Sequence, residues 1–325
     1  MTKAEKTTGT TTRTTRLSKP ALFELIGYEP HAGQLLVHKS TARRRVLACG
    51  VRWGKSTCAT AEVVAALLEP RREALGWVVA PTYDLSHLIY DRVCRIFERR
   101  FPHRVKSISQ RQQQLTVVNL AGGLSVLEAK SADNPASLLG EALDFVVVDE
   151  AAQLKAEVWN EHLSQRLVDR RGWALLLSTP NGRNWFSKLH RRGQKGRDAD
   201  FESWNRPSSE NPVLDSALIE AERERLGDDS FRAQYGAEFV GTDTDACDSC
   251  GGPSTRVPCF HLLVQGETLG VCEECGLPVK ADGKTVVRRY AHGETGFVAI
   301  TLGGPVNGLE PLLRFPGTDL LTRPA

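Results

Sequence analysis

"LACGVRWGKSTCAT", residues 47–60, decides the fold. An apolar run stops at Gly50, an arginine and a tryptophan interrupt the loop, and Gly54-Lys55-Ser56-Thr57 opens an alanine-rich stretch of helical period. A phosphate cradle needs backbone N–H groups turned inward, a helix N-terminus and a lysine. Gly50 and Gly54 permit such a turn, Lys55 reaches the β and γ phosphates, and Ser56 ligates magnesium. The strict pattern G-x-x-x-x-G-K-[ST] places its first glycine at position 49, where this chain has Cys49; the glycine is displaced by one, to Gly50. A strand before the loop and a helix after it favour a phosphate loop over a chance Gly-Lys-Ser in a turn.

Outward from the loop, short apolar runs alternate with helical patterns. Residues 44–50, 76–83, 144–150 and 173–180 read as buried strands, and 56–69, 84–101 and 155–172 as helices, with Asp84 a candidate N-cap. The stretches around Gly122-Gly123 read as a hairpin. Helices are also expected at 215–227, between Asp215 and Gly227, and at 228–239. Continuous apolar strands separated by helices predict an α/β fold, a mostly parallel sheet with helices on both faces. Ligands of such sheets sit beyond the C-terminal strand ends, and the polar marks at 50–57, 149–150 and 178–182 all fall there.

Two of those marks carry chemistry. "FVVVDE" (145–150) ends in paired acids: Asp149 is placed to hold magnesium, and Glu150 to orient and deprotonate an attacking water. The second acid distinguishes hydrolysis from transfer, because water needs a base. "STPNG", Ser178, Thr179, Pro180, Asn181 and Gly182, offers a hydroxyl and an amide at a strand tip that would sense the γ-phosphate, although Pro, Asn and Gly also suit a plain turn.

The bulk numbers exclude some classes. With 41% apolar and 25% charged residues over 325 positions, the chain is ordinary for a globular protein. It has no apolar run approaching the roughly 20 residues of a membrane span and no signal peptide, so a cytoplasmic protein without membrane partners is expected. A net charge of +3 does not declare a nucleic-acid binder. Residues 1–20, with their threonine-rich "TTGTTTRTTR", read as a disordered tail. A composition shift near residue 241 divides a domain at 21–240 from one at 241–325.

Together, "GQ" (33–34), "GVRWGKS", "FVVVDEAAQL", "LVDRRGWALLLSTPNGRNWF" and "SSENPVLD" resemble the ATPase portion of tailed-phage terminase large subunits, the motors that package DNA into procapsids. The resemblance runs over residues 31–241. It implies a P-loop NTPase of RecA/ASCE-like fold and an ATPase that translocates double-stranded viral DNA, using Mg2+ with ATP. The implied partners are double-stranded DNA, a portal protein, a terminase small subunit and further copies in a homo-oligomeric ring. The nucleotide site would comprise Gln34, which contacts the adenine, with Gly50, Val51, Arg52, Trp53, Gly54, Lys55, Ser56 and Thr57; Tyr28 would stack near the base. Ser178 to Gly182 would couple hydrolysis to DNA movement. Two departures stand out. The family's loop carries an arginine where this chain has Val51, so Arg52 one place on would take its catalytic role, or a neighbouring subunit would supply Arg166, Arg170 or Arg171. The family's nuclease portion would not fit the 85 residues after position 240, so nuclease activity is expected to be absent, either carried by a separate nuclease subunit or lost in a degenerate copy.

Those last residues hold five of the eight cysteines. Cys247-x-x-Cys250 and Cys272-x-x-Cys275 have the spacing of a structural zinc ribbon, with Cys259 and His261 as spare candidates. Two other readings of the whole are a helicase-like nucleic-acid remodeller, which "DEAA" resembles, and a non-enzymatic zinc-containing module that binds DNA or protein.

Overall fold

A computed structural model describes residues 17–194 and 198–240, and beyond them only the short strands Ser254–Thr255, Val271–Cys272, Thr285–Val287 and Ile300–Leu302. The described residues fall into two compact units. One runs to Asn181 and resumes over Phe186–Glu238; the other takes Gly182–Trp185 and the chain from Phe239. Cys247, Cys250, Cys275, Cys259 and His261 lie outside the described residues, as does the threonine-rich tail. Cys272 is described only as backbone of its strand.

The first unit is built on eight strands: β1 (Arg44–Cys49), β2 (Glu73–Ala80), β3 (Val105–Ser109), β4 (Gln114–Val118), β5 (Leu124–Ser131), β6 (Phe145–Asp149), β7 (Trp173–Ser178) and β8 (Phe201–Arg206). They form one sheet in the order β3-β4-β5-β2-β6-β7-β1-β8. From β5 to β8 every pairing is parallel, and β4 joins β5 as the antiparallel hairpin the glycine pair predicts. Val46, Leu47, Ala48, Val147, Val148, Leu175 and Leu176 are all fully buried, so consecutive side chains on both faces are covered. That is why these strands read as unbroken apolar runs rather than alternating ones. Between β2 and β1 the order places both β6 and β7. The strand carrying the paired acids is therefore separated from the loop strand by β7, with Ala48 opposite Ser178 and Leu177 opposite Asp149.

The helices are α1 (Lys19–Ile26), α2 (Ala32–Lys39), α3 (Lys55–Leu68), α4 (Tyr83–Arg100), α5 (Trp185–Arg192), α6 (Ser216–Leu226) and α7 (Asp228–Gln234). α3 packs through Val63, Val64 and Leu67 into a core that also takes Ile89, Val93 and Phe97 of α4 and Leu47, Val147 and Leu177 of the sheet. Cys49, Cys58 and Cys94 are buried free thiols in that core.

Several expectations are corrected. The first helix starts at Lys19 on an N-cap from Ser18, so a boundary at residue 20 would cut it. α4 is capped by Thr82, whose hydroxyl accepts from Leu85 N–H; Asp84 sits inside the first turn. The stretch 155–172 is no single α-helix: Val158–Leu163 is a π-helix followed by a 3-10 turn. The cause is local. Ser164 N–H reaches back to Trp159 O, while its hydroxyl takes the Asn160 carbonyl that an α-helical N–H would use. β3 and β8 give little sequence signal; each lies at a sheet edge and is only partly buried. Among the described residues no helix is long and apolar enough to cross a membrane.

Candidate active site

The loop between β1 and α3 is shaped by two left-handed residues, Arg52 (φ 61) and Gly54 (φ 101). Gly54 is the N-cap of α3, so Lys55, Ser56 and Thr57 form the helix's first turn, whose N–H groups have no intrahelical partner. An anion is favoured there by both the free donors and the helix dipole.

Three strand ends converge on that turn. Lys55 Nζ lies 2.9 Å from Glu150 Oε1. Ser56 Oγ donates to Asp149 Oδ2 at 3.3 Å. Ser178, fully buried at the end of β7, has its hydroxyl 3.3 Å from Glu150 Oε2 and 2.9 Å from Thr179 O, sharing one proton between the two acceptors, and Gln153 Nε2 donates to the same Glu150 oxygen. Glu150 itself is left-handed (φ 51), and its N–H is held by Asp149 Oδ1 at 3.0 Å. A non-glycine residue in that conformation persists only where its surroundings over-determine it, as these contacts do.

The site's electrostatics follow from burial. Asp149 is almost completely buried, which pushes its carboxyl up; the Lys55 ammonium opposes this and the Glu150 carboxylate adds to it, leaving the group at about 6. Burial alone would lower the Lys55 ammonium, but the adjoining Glu150 carboxylate outweighs it and holds the group above its ordinary value. The donor set of Ser56 hydroxyl and Asp149 carboxylate is made of hard oxygens, which suits Mg2+ bound partly by water and substrate phosphates.

The other expected residues are placed as follows. Gln34 is buried against the loop: its Oε1 accepts from His31 N–H and its Nε2 donates to Gly54 O. Tyr28 turns its hydroxyl to His38 Nε2 at 3.0 Å and sets its ring edge against Phe23. Trp53 is fully buried and donates its indole N–H to Glu210 Oε2 at 3.0 Å. Arg52 is exposed, and its guanidinium has no hydrogen bond or ion pair among the described residues. Val51 and Thr57 flank the turn, Thr57 Oγ1 accepting from Arg92 Nη1. Thr179, Pro180 and Asn181 continue from β7 in the first unit, whereas Gly182, left-handed at φ 63, belongs to the second. Arg170 pairs with Asp144 and Glu73 at the opposite end of the strands, Arg166 donates to Gly140 O, and Arg171 is exposed.

Residues 207–211 and His31 were missed as site components. Ser208 and Asn211 both bond to the loop's backbone, and Glu210 holds Trp53. The signals there were Asn211-Pro212, which reads as a turn, and the stretch "SSENPVLD" (208–215), which marked the resemblance without giving these residues a role.

Comparison with known proteins gives a consistent set of relatives. The family described as terminase large subunit, ATPase domain, matches residues 37–194. Terminase large subunits of Thermus phage G20c and Thermus virus P23-45 are each 38% identical over 244 residues, covering 67% of this chain and 50% of theirs. The chain thus spans about half the length of the curated relatives it matches. Among solved structures, the ATPase domain of the Thermus phage P74-26 large terminase is 37% identical with a TM-score of 0.64, covering 70% of this chain and 100% of that one. The large terminase of bacteriophage HK97 shares the fold at 13% identity and a TM-score of 0.53, over 69% of this chain and 53% of that one.

Proposed function

The chain belongs to the terminase large-subunit ATPase family, and from that premise we propose that it hydrolyses Mg·ATP at the β1–α3 loop to drive double-stranded DNA into a procapsid. One observation supports this above the others: the loop lysine and the strand-tip acid meet at 2.9 Å, with Ser56 and Asp149 alongside at 3.3 Å. Had these groups sat on unrelated parts of the sheet, no triphosphate could engage them together.

In this reading Lys55 and the first-turn N–H groups of α3 bind the phosphates. Ser56 and Asp149 would hold magnesium, which would supply neutralisation of the phosphates' negative charge. Glu150 positions the attacking water and takes its proton. Ser178 bonds the oxygen of Glu150 that Lys55 does not touch, so β7 feels the state of the base. Arg52, within the loop and with its guanidinium unpaired among the described residues, is the proposed candidate to stabilise charge on the transferred phosphate in cis. Arg170 is already committed to two acids, which leaves Arg171 the freer candidate for contribution to a neighbouring copy.

We assign the chain from Ser18, the cap of α1, to residue 240 to the ATPase domain, and residues 241–325 to a cysteine-rich domain holding zinc on Cys247, Cys250, Cys272 and Cys275, on the strength of the paired C-x-x-C spacing. A portal, a small subunit and a ring of copies are the proposed partners, and the host cytoplasm the proposed location.

The test is phosphate release from Mg·ATP with and without double-stranded DNA and a portal or small-subunit partner. DNA-stimulated turnover that Lys55→Ala abolishes is expected. No turnover under any of these conditions would overturn the motor and favour a binding module.

A further inference from the structure

A loop whose N–H groups face a phosphate must turn its carbonyls the other way, because each peptide unit is planar with N–H and C=O opposed. Those outward carbonyls then need donors of their own. In this protein four successive carbonyls take a side-chain donor, each from a different residue, and the last, Gly54 O, takes it in addition to the Cys58 N–H that opens the α3 ladder at 3.0 Å. Ser208 Oγ donates to Val51 O at 2.6 Å and Asn211 Nδ2 to Arg52 O at 2.7 Å. His31 Nε2 lies 3.1 Å from Trp53 O, and Gln34 Nε2 donates to Gly54 O at 3.2 Å.

The donors are themselves aimed. Val213 N–H fixes Asn211 Oδ1, which turns the amide nitrogen to the loop. His31 N–H fixes Gln34 Oε1 in the same way. His31 Nδ1 is buried without a partner, consistent with the proton residing on Nε2 and being given to Trp53 O. Ser208 is fully buried, its own N–H bonded to Tyr235 O at 2.8 Å. The position of the first loop glycine also follows: a Cβ on Gly50 would stand 2.3 Å from Ser208 Oγ and 2.6 Å from Tyr235 O. Glycine is needed where the strap crosses the loop, one residue later than the strict pattern places it.

We infer that Ser208, Asn211, His31 and Gln34 are positioning residues acting as one clamp, which holds the nucleotide-free loop with its carbonyls outward and so ready for a polyphosphate. The clamp closes from two sides: residues 31–34 at the start of α2, and the strap 207–211, which lies outside the matched residues 37–194. It fixes the two left-handed residues Arg52 and Gly54, which a free loop would not keep. Because the strap runs on through Asp215, the cap of α6, that helix is tied through a short linker to the phosphate site.

The inference rests on the reading that this loop binds Mg·ATP, and the experiment separates the two. Binding of a fluorescent ADP and of ATPγS, each with Mg2+, is titrated on the full chain for wild type, Asn211→Asp and Ser208→Cys, with melting temperatures of the nucleotide-free proteins alongside. Asn211→Asp keeps the side chain's size and removes the donor; Ser208→Cys nearly keeps the size and leaves only a weak one. The clamp requires dissociation constants raised roughly 3- to 10-fold per lost donor, more for Asn211→Asp because a carboxylate then faces a carbonyl. It also requires KM to rise more than kcat falls, since the phosphates are gripped alike in ground and transition states. Lower melting temperatures with unchanged dissociation constants would mean a merely structural strap and overturn the clamp. Ser208→Cys decides the matter if Asn211→Asp does not fold. A wild type that binds neither nucleotide would overturn the functional reading, and the clamp with it.

Discussion

Asp149→Asn should stabilise the nucleotide-free protein, and more so at neutral than at acid pH. The Asp149 carboxyl titrates at about 6 in the folded chain against 3.8 for an unperturbed aspartate. Between those values the folded state binds more protons than the unfolded one, so the group's contribution to stability falls as pH rises. At about 1.4 kcal/mol per tenfold difference in acidity, the ionised carboxylate costs about 3 kcal/mol at about pH 7.5 and roughly half that at about pH 5. An asparagine side chain never ionises, so it escapes the cost, while its other effects, such as a changed bond to Ser56, are the same at both pH values. The pH-dependent part is therefore of order 1 kcal/mol, which for a domain of this size moves the melting temperature by roughly 2–4 °C. Differential scanning fluorimetry of both proteins at the two pH values reads it directly. Added Mg·ADP should erase the advantage, because the bound ion would favour the carboxylate and the neutral amide of the variant offers it no charge. Parallel melting curves for the two proteins across this pH range would refute the buried, destabilised state of the carboxylate in the free enzyme.

Glu150→Gln keeps the side chain's shape but removes the base; turnover should fall by about 10²- to 10⁴-fold with nucleotide binding intact, measured as phosphate release beside a binding titration. Near-normal turnover would remove Glu150 from the chemistry. Glu62→Gln should cost about 3–5 kcal/mol in urea unfolding, since Glu62 is the buried partner of Arg45 at 2.5 Å and of His38 and Lys19 at 2.7 Å, and Arg45 is itself almost completely buried. A loss under about 1 kcal/mol would show that solvent reaches the cluster. Elemental analysis of the full chain should find about one zinc per molecule, lost in Cys250→Ser and Cys275→Ser while ATP binding stays within about twofold; zinc-free protein of unchanged stability would sink the ribbon.

The parallel sheet and the loop were legible in the sequence because both depend on short-range features. A strand buried on both faces is apolar along its middle, so the runs 46–49, 145–148 and 174–177 announce themselves, with polar residues only at the strand ends. A phosphate loop needs glycine, lysine and serine in close succession, and the two acids follow their strand directly. What the sequence did not show was the company these groups keep. Which strand lies beside which depends on pairing between segments far apart in the chain, so only the tertiary structure put β7 between β1 and β6 and brought Ser178 to Glu150. The same holds for the loop's outer side. Ser208 and Asn211 touch carbonyls 157 and 159 residues away, and a serine or asparagine in a turn has no composition that tells a satisfied local bond from a long-range one. Residues choose their own backbone conformation largely through their neighbours in sequence, but the partners of an outward-facing carbonyl are chosen by packing, and that is where this site was completed.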